Sequence, residues 1–141
     1  SLRAFLRFSK VFSLASYRRR LPADVFHVAR LVATRDEDCG TCVQIEVNLV
    51  KKDGVPVEIL RAALACKPEV LPEHLADAYR FADEVVRATG AEGELRERIR
   101  RRHGDEALCE LAIAIAACRV FPVTKRALGY AQSCAVVPVH V

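Results

Sequence analysis

The residues best able to do chemistry lie together at 36–46, Asp-Glu-Asp-Cys-Gly-Thr-Cys-Val-Gln-Ile-Glu. Cys39 and Cys42 stand three residues apart where a loop is expected to become a helix, and Glu46 follows Cys42 by one turn. Helix positions i, i+3 and i+4 share a face, so the two thiols are within disulfide reach and the carboxylate sits on their stripe. The unpaired N–H groups and partial positive charge of a helix start favour thiolate over thiol. Asp36, Glu37 and Asp38 oppose this, because nearby negative charge disfavours a thiolate, and the sequence leaves the balance open. The pattern predicts dithiol redox chemistry.

Other readings compete. Half of a zinc site would need two more ligands, and no second C-x-x-C or nearby H-x-x-x-H supplies them. A metal-binding regulator would have to draw on Cys39, Cys42, Glu46 and His27. A purely structural disulfide closes a loop too short to remove much chain entropy. Cys66, Cys109, Cys118 and Cys134 sit singly in apolar surroundings and read as small core residues that stay reduced.

The elements that must position the pair are all predicted to be helices. Residues 2–17 place Leu2, Phe5, Leu6, Phe8, Phe12 and Leu14 among Arg3, Arg7 and Lys10, an amphipathic helix ending near residues 18–20. Its apolar face is expected to dock on the chain's own core or a neighbouring subunit in preference to a membrane surface. Leu21-Pro22 opens a second helix, with Val25, Val28, Ala29 and Val32 inside and His27 among them. The third runs from about Cys39 to Lys52, with Asp38 as N-cap and Gly54 as left-handed cap. Val43, Ile45, Val47, Leu49 and Val50 cover most of its circumference, so it is expected to be enclosed and Glu46 to be partly buried beside a specific partner.

Val55-Pro56 and Leu71-Pro72 start two more helices, the second continuing to Thr89-Gly90 with His74 and Asp77 on its solvated side. A charged helix occupies 92–103, and residues 106–121 form the most apolar stretch. Pro122 is expected to restart the chain into a last helix reaching about Ser133, with 135–141 extended.

Composition narrows the class. At 141 residues the chain is expected to be one domain, 52% hydrophobic and only 6% aromatic, which suits an all-α fold of about six to eight helices. Its 22 basic and 18 acidic residues give a net charge of +4 on a mixed surface, which predicts no nucleic-acid partner. No run of eighteen apolar residues or secretory signal is visible, so no membrane span and a cytoplasmic location are expected. Nothing in the sequence calls for a cofactor.

Together, a helix, a C-x-x-C at the start of the next, a glycine, and a short helix after Val55-Pro56 resemble the alkylhydroperoxidase D-like (carboxymuconolactone decarboxylase) superfamily. The likeness covers roughly residues 22–65, and Ala107–Cys134 resembles its long apolar helix followed by Leu128-Gly129-Tyr130-Ala131; residues 1–20 lie outside it. The resemblance implies a compact helical bundle and a peroxidase or disulfide reductase with an antioxidant role. It also implies an external thiol reductant and a homo-oligomer, a trimer or hexamer. In redox-active members an acid well upstream and a histidine four residues after the second cysteine relay the proton. Here Glu46 stands at the histidine position and His27, twelve before Cys39, at the acid position. The resemblance therefore implies an exchanged relay of His27 and Glu46, with Cys42 attacking and Cys39 resolving. The competing class is a helical assembly module whose C-x-x-C is a redox-sensitive staple without turnover.

Overall fold

Three helices begin with the same local device, a buried aliphatic residue followed by proline. Leu21-Pro22, Val55-Pro56 and Leu71-Pro72 each put the proline at the N-cap, with φ of −57°, −55° and −50°. Proline's fixed φ presets the turn into the helix, and the aliphatic residue before it anchors that entry in the core. The computed structural model describes residues 1–37, 39–130 and 140–141. In chain order the helices are α1 (Leu2–Phe8), α2 (Val11–Ala15), α3 (Ala23–Asp36), α4 (Gly40–Lys52) and α5 (Val57–Leu64). A 3-10 turn (Pro68–Val70), α6 (Glu73–Arg87), α7 (Gly93–His103) and α8 (Asp105–Ala127) follow. No strand occurs among the described residues, and the chain is an all-α, multi-helix bundle.

The enclosed helix is α3. Every residue from Val25 to Thr34 is buried, and α4, α5, α6 and α8 all pack against it. The expectation that the helix after the cysteines would be enclosed is corrected: on α4 only Val43, Glu46, Val47 and Val50 are buried, while Ile45 and Leu49 are exposed. Gly54 closes α4 in the left-handed region at φ 73°, as its position after the last turn implied.

Three other departures have local causes. The expected single N-terminal helix is two short ones, α1 and α2. The Ser9 and Ser13 hydroxyls donate to the Leu6 and Lys10 carbonyls at 2.8 and 2.7 Å, and such bonds compete with a continuous helical ladder. Asp77 is buried instead of solvated, because α7 packs on α6 and brings Arg98 to it at 2.9 Å. Among the other cysteines Cys118 is buried, but Cys66 and Cys109 are exposed. Asp38, Cys134 and most of the stretch expected to close the chain lie outside the described residues.

The long helix α8 passes through Pro122 without restarting. A proline inside a helix costs about 3 kcal/mol, by loss of one N–H and a clash with the preceding turn. Here Arg119 and Arg126, on either side of Pro122, both bond the Glu37 carboxylate, so one anchor spans the break. By length and composition α8 is also apolar enough to cross a membrane, with 44% of the relevant window buried inside the bundle. The buried part of that window packs on α2, α3 and α7.

Glu110 of α8 ties the N-terminal segment to the bundle. Its carboxylate accepts the backbone N–H groups of Arg19, Arg20 and Leu21 at 2.9–3.2 Å and is 1% exposed. Burial pushes its pKa up, but the hydrogen bonds from Leu21, Arg19 and Arg20 outweigh this and hold it below the usual carboxylate value. Because the folded pKa is depressed, this stabilisation is present above the unfolded value, about 4.3, and is lost as pH falls through the folded one. Glu110→Gln is expected to lower unfolding stability at pH 7 by about 2–3 kcal/mol and to flatten its acid-side decline, measured by urea unfolding between neutral and acidic pH.

Candidate functional site

Four helices line an open cavity of about 630 Å³, within the range that holds a small organic molecule. From α3, His27, Arg30 and Thr34 reach its wall at spacings i, i+3 and i+7, one helical stripe. From α4 come Cys42, Glu46 and Leu49, and Asp53 just past its end; α8 contributes Cys118, Phe121 and Pro122, and α2 adds Phe12 and Ala15. Of the four residues predicted from sequence, Cys42, Glu46 and His27 line this one cavity, and Cys39 stands behind Cys42.

The sulfurs of Cys39 and Cys42 are 2.7 Å apart. A disulfide bond is about 2.05 Å long, so closure asks only for small side-chain rotations. Cys39 is the N-cap of α4, with extended backbone and 2% exposure, whereas Cys42 is half-buried in the first turn and faces the cavity.

Glu46 is buried, as expected, and its specific partner is Arg30. The Arg30 Nε donates to one carboxylate oxygen at 2.9 Å and a terminal nitrogen donates to the other, a bidentate pair sealed between α3 and α4. The remaining terminal nitrogen donates to the Ala15 carbonyl at the end of α2, and the guanidinium lies 5.0 Å over the Phe26 ring. Burial works against the charged guanidinium, but its bonds to Glu46 win and its pKa is raised.

His27 is 2% exposed, and its Nε2 lies 2.8 Å from Asp53 Oδ2. The hydrogen bond from His27, more than any other influence, holds the Asp53 carboxyl below its usual range. The direct His27–Glu46 couple expected from the exchanged relay is therefore divided into two pairs, His27–Asp53 and Arg30–Glu46. The reason is register: α4 runs antiparallel to α3, so moving back one turn on α3 from Arg30 to His27 moves the partner forward along α4, to Asp53. At about 1.5 Å per residue, Asp53 lies roughly 16 Å along the helix from Cys42, while Glu46 lies one turn away. Sequence reasoning missed Arg30, Asp53 and Cys118. Arg30 was findable, since it shares His27's stripe; the Asp53 partnership had no local signal.

Cys118 is a third thiol on the wall. Burial pushes its pKa up to about 12, with Arg30 opposing, so it is a neutral thiol near pH 7. Glu37, just ahead of the cysteine loop, is buried yet receives Arg119 and Arg126 on its carboxylate and Arg126 on its carbonyl at 2.9 Å. Burial raises its pKa, but these cations hold it below the usual value, so its acidity is satisfied by α8. Among the described residues no three His, Cys, Asp or Glu side chains converge on a point that could hold a metal ion.

No family model, curated protein or solved structure matches this chain. The site's chemistry thus rests on its own geometry.

Breaking a buried ion pair by removing one partner leaves the other charge uncompensated, at a cost of about 3–5 kcal/mol, whereas replacing both by apolar groups is far milder. Arg30→Met is expected to destabilise by that amount in chemical unfolding, and Arg30→Met with Glu46→Leu to recover most of the loss.

Proposed function

We propose that the chain is a thiol-dependent oxidoreductase, a peroxidase or disulfide reductase, in which Cys42 attacks and Cys39 resolves. This is the activity implied by the alkylhydroperoxidase D-like resemblance. The observation that carries it is the 2.7 Å approach of the two sulfurs with Cys42 alone turned to a cavity of substrate size. With a hydroperoxide, the Cys42 thiolate attacks the outer oxygen, the O–O bond breaks, and the alkoxide leaves and takes up a proton as the alcohol. The Cys39 thiol then attacks the sulfenic sulfur, the S–O bond breaks and the hydroxyl leaves with the thiol proton as water, forming the Cys39–Cys42 disulfide. The peroxide has gained two electrons and the dithiol has lost them. An external thiol reductant restores the pair by exchange.

The two charged pairs divide the remaining work. Glu46 follows Cys42 by one turn and has both oxygens engaged by Arg30, so this pair fixes the polarity of the wall beside the reacting sulfur. The carboxylate-oriented imidazole of His27 acts from farther along the cavity, handling the proton through water or the substrate itself. The resemblance also implies a trimer or hexamer. Exposed Val123, Leu128 and Tyr130 around the end of α8 support a subunit contact there. A monomeric mass by light scattering at micromolar concentration would refute that assembly.

Single-turnover peroxide reduction tests the chemistry. Cys42→Ser is expected to abolish it, and Cys39→Ser to retain the first step and accumulate a trappable sulfenic acid. Turnover limited to one equivalent in the presence of excess dithiol would favour a passive staple. His27→Gln and Asp53→Asn are each expected to slow the reaction about a hundredfold and, acting as one pair, to lose little more together. Glu46→Gln, in the separate pair, is expected to multiply with either. Full multiplication of the His27 and Asp53 losses would remove the dyad from the mechanism.

A further inference from the structure

Residues 1–20 contain Arg3, Arg7, Lys10, Arg18, Arg19 and Arg20 and no acid, although the whole chain carries a net charge of only +4. The same segment exposes Leu2, Phe5, Leu6, Phe12 and Leu14, at 52–74%. No residue of α1 or α2 is buried; Phe8 meets the Phe121 ring edge-on, Phe12 lies tilted against it, and Arg30 bonds the Ala15 carbonyl. Helices of seven and five residues are too short to persist in water by their own hydrogen bonds. The segment is basic, rests on α8 through few contacts, and leaves most of its large apolar side chains in solvent.

We propose that this face lies on an anionic lipid surface, with Leu2, Phe5, Leu6 and Leu14 entering the headgroup boundary and Arg3, Arg7 and Lys10 meeting lipid phosphate and carboxylate. Charge decides between this occupant and a second copy of the chain. Two copies joined through this face would set two all-basic segments against each other, whereas an anionic bilayer neutralises both the charge and the apolar exposure at once. Arg18 and Arg20 are held by Asp53 and Glu106, which leaves Arg3, Arg7, Lys10 and the exposed Arg19 for lipid. The face also adjoins the cavity, because Phe12, Ala15 and Ser16 belong to its wall. Lipid binding requires no turnover and stands apart from the thiol reading.

The test is co-sedimentation of the full chain with vesicles of phosphatidylcholine alone and with a third of phosphatidylglycerol. Binding is expected only to the anionic vesicles and to fall steeply as salt rises from low to physiological concentration. Each of Arg3→Gln, Arg7→Gln and Lys10→Gln is expected to weaken partitioning about fivefold. Phe5→Ser with Leu6→Ser is expected to reduce it further while leaving the circular dichroism of the bundle unchanged. Equal binding to neutral and anionic vesicles, no binding to either, or a smaller solution mass in the Phe5→Ser, Leu6→Ser variant would overturn the proposal, the last by pointing to a second copy.

Discussion

The site depends on one buried ion pair. Arg30 and Glu46 are each desolvated between α3 and α4, and neither charge could remain there without the other. Once formed, the bidentate pair fixes the rotation and register of α4 against α3. That register in turn points Cys42 at the cavity and carries Asp53 to His27. The third arm of the guanidinium reaches the end of α2, so the same side chain also seats the wall opposite. A bidentate guanidinium has the geometry for this; a lysine would satisfy the charge and lose the fork.

Two other buried carboxylates, Glu110 and Glu37, do comparable work at the two ends of α8. Glu110 gathers three backbone N–H groups of the segment entering α3, and Glu37 at the far end of α3 is gripped by Arg119 and Arg126. Both contacts join the start and end of α3 to the same helix, which therefore runs parallel to it as a post. The cysteine loop begins immediately after Glu37, so its origin is fixed by α8. Of the acids that precede the thiols, Glu37 is neutralised by two arginines and Asp36 lies 3.8 Å from Arg119.

The cavity is built where these constraints meet. Its wall carries the Arg30–Glu46 and His27–Asp53 pairs beside Phe12, Phe26 and Phe121, and Cys42 stands in the first turn of α4. The neutral thiol of Cys118 adds to that lining without competing as a nucleophile, because deprotonating it in so apolar a place is unfavourable.

What the sequence determined by itself was local. The aliphatic–proline pairs fixed three helix starts, Gly54 one helix end, and the i,i+3 spacing the meeting of Cys39 and Cys42, because each rests on a few adjacent dihedrals. The burial of Glu46 and its need for a partner were also legible from the apolar residues around it. Which partner it took was not. Whether His27 faces Glu46 or Asp53, and whether Asp77 faces water or Arg98, turns on the register and rotation of one helix against another. Those are set by contacts between residues distant in the chain, with the Arg30–Glu46 pair foremost for α4 against α3. Pro122 makes the same point in reverse: the local rule for a helix break was sound, and two arginines bonded to one distant carboxylate overrode it.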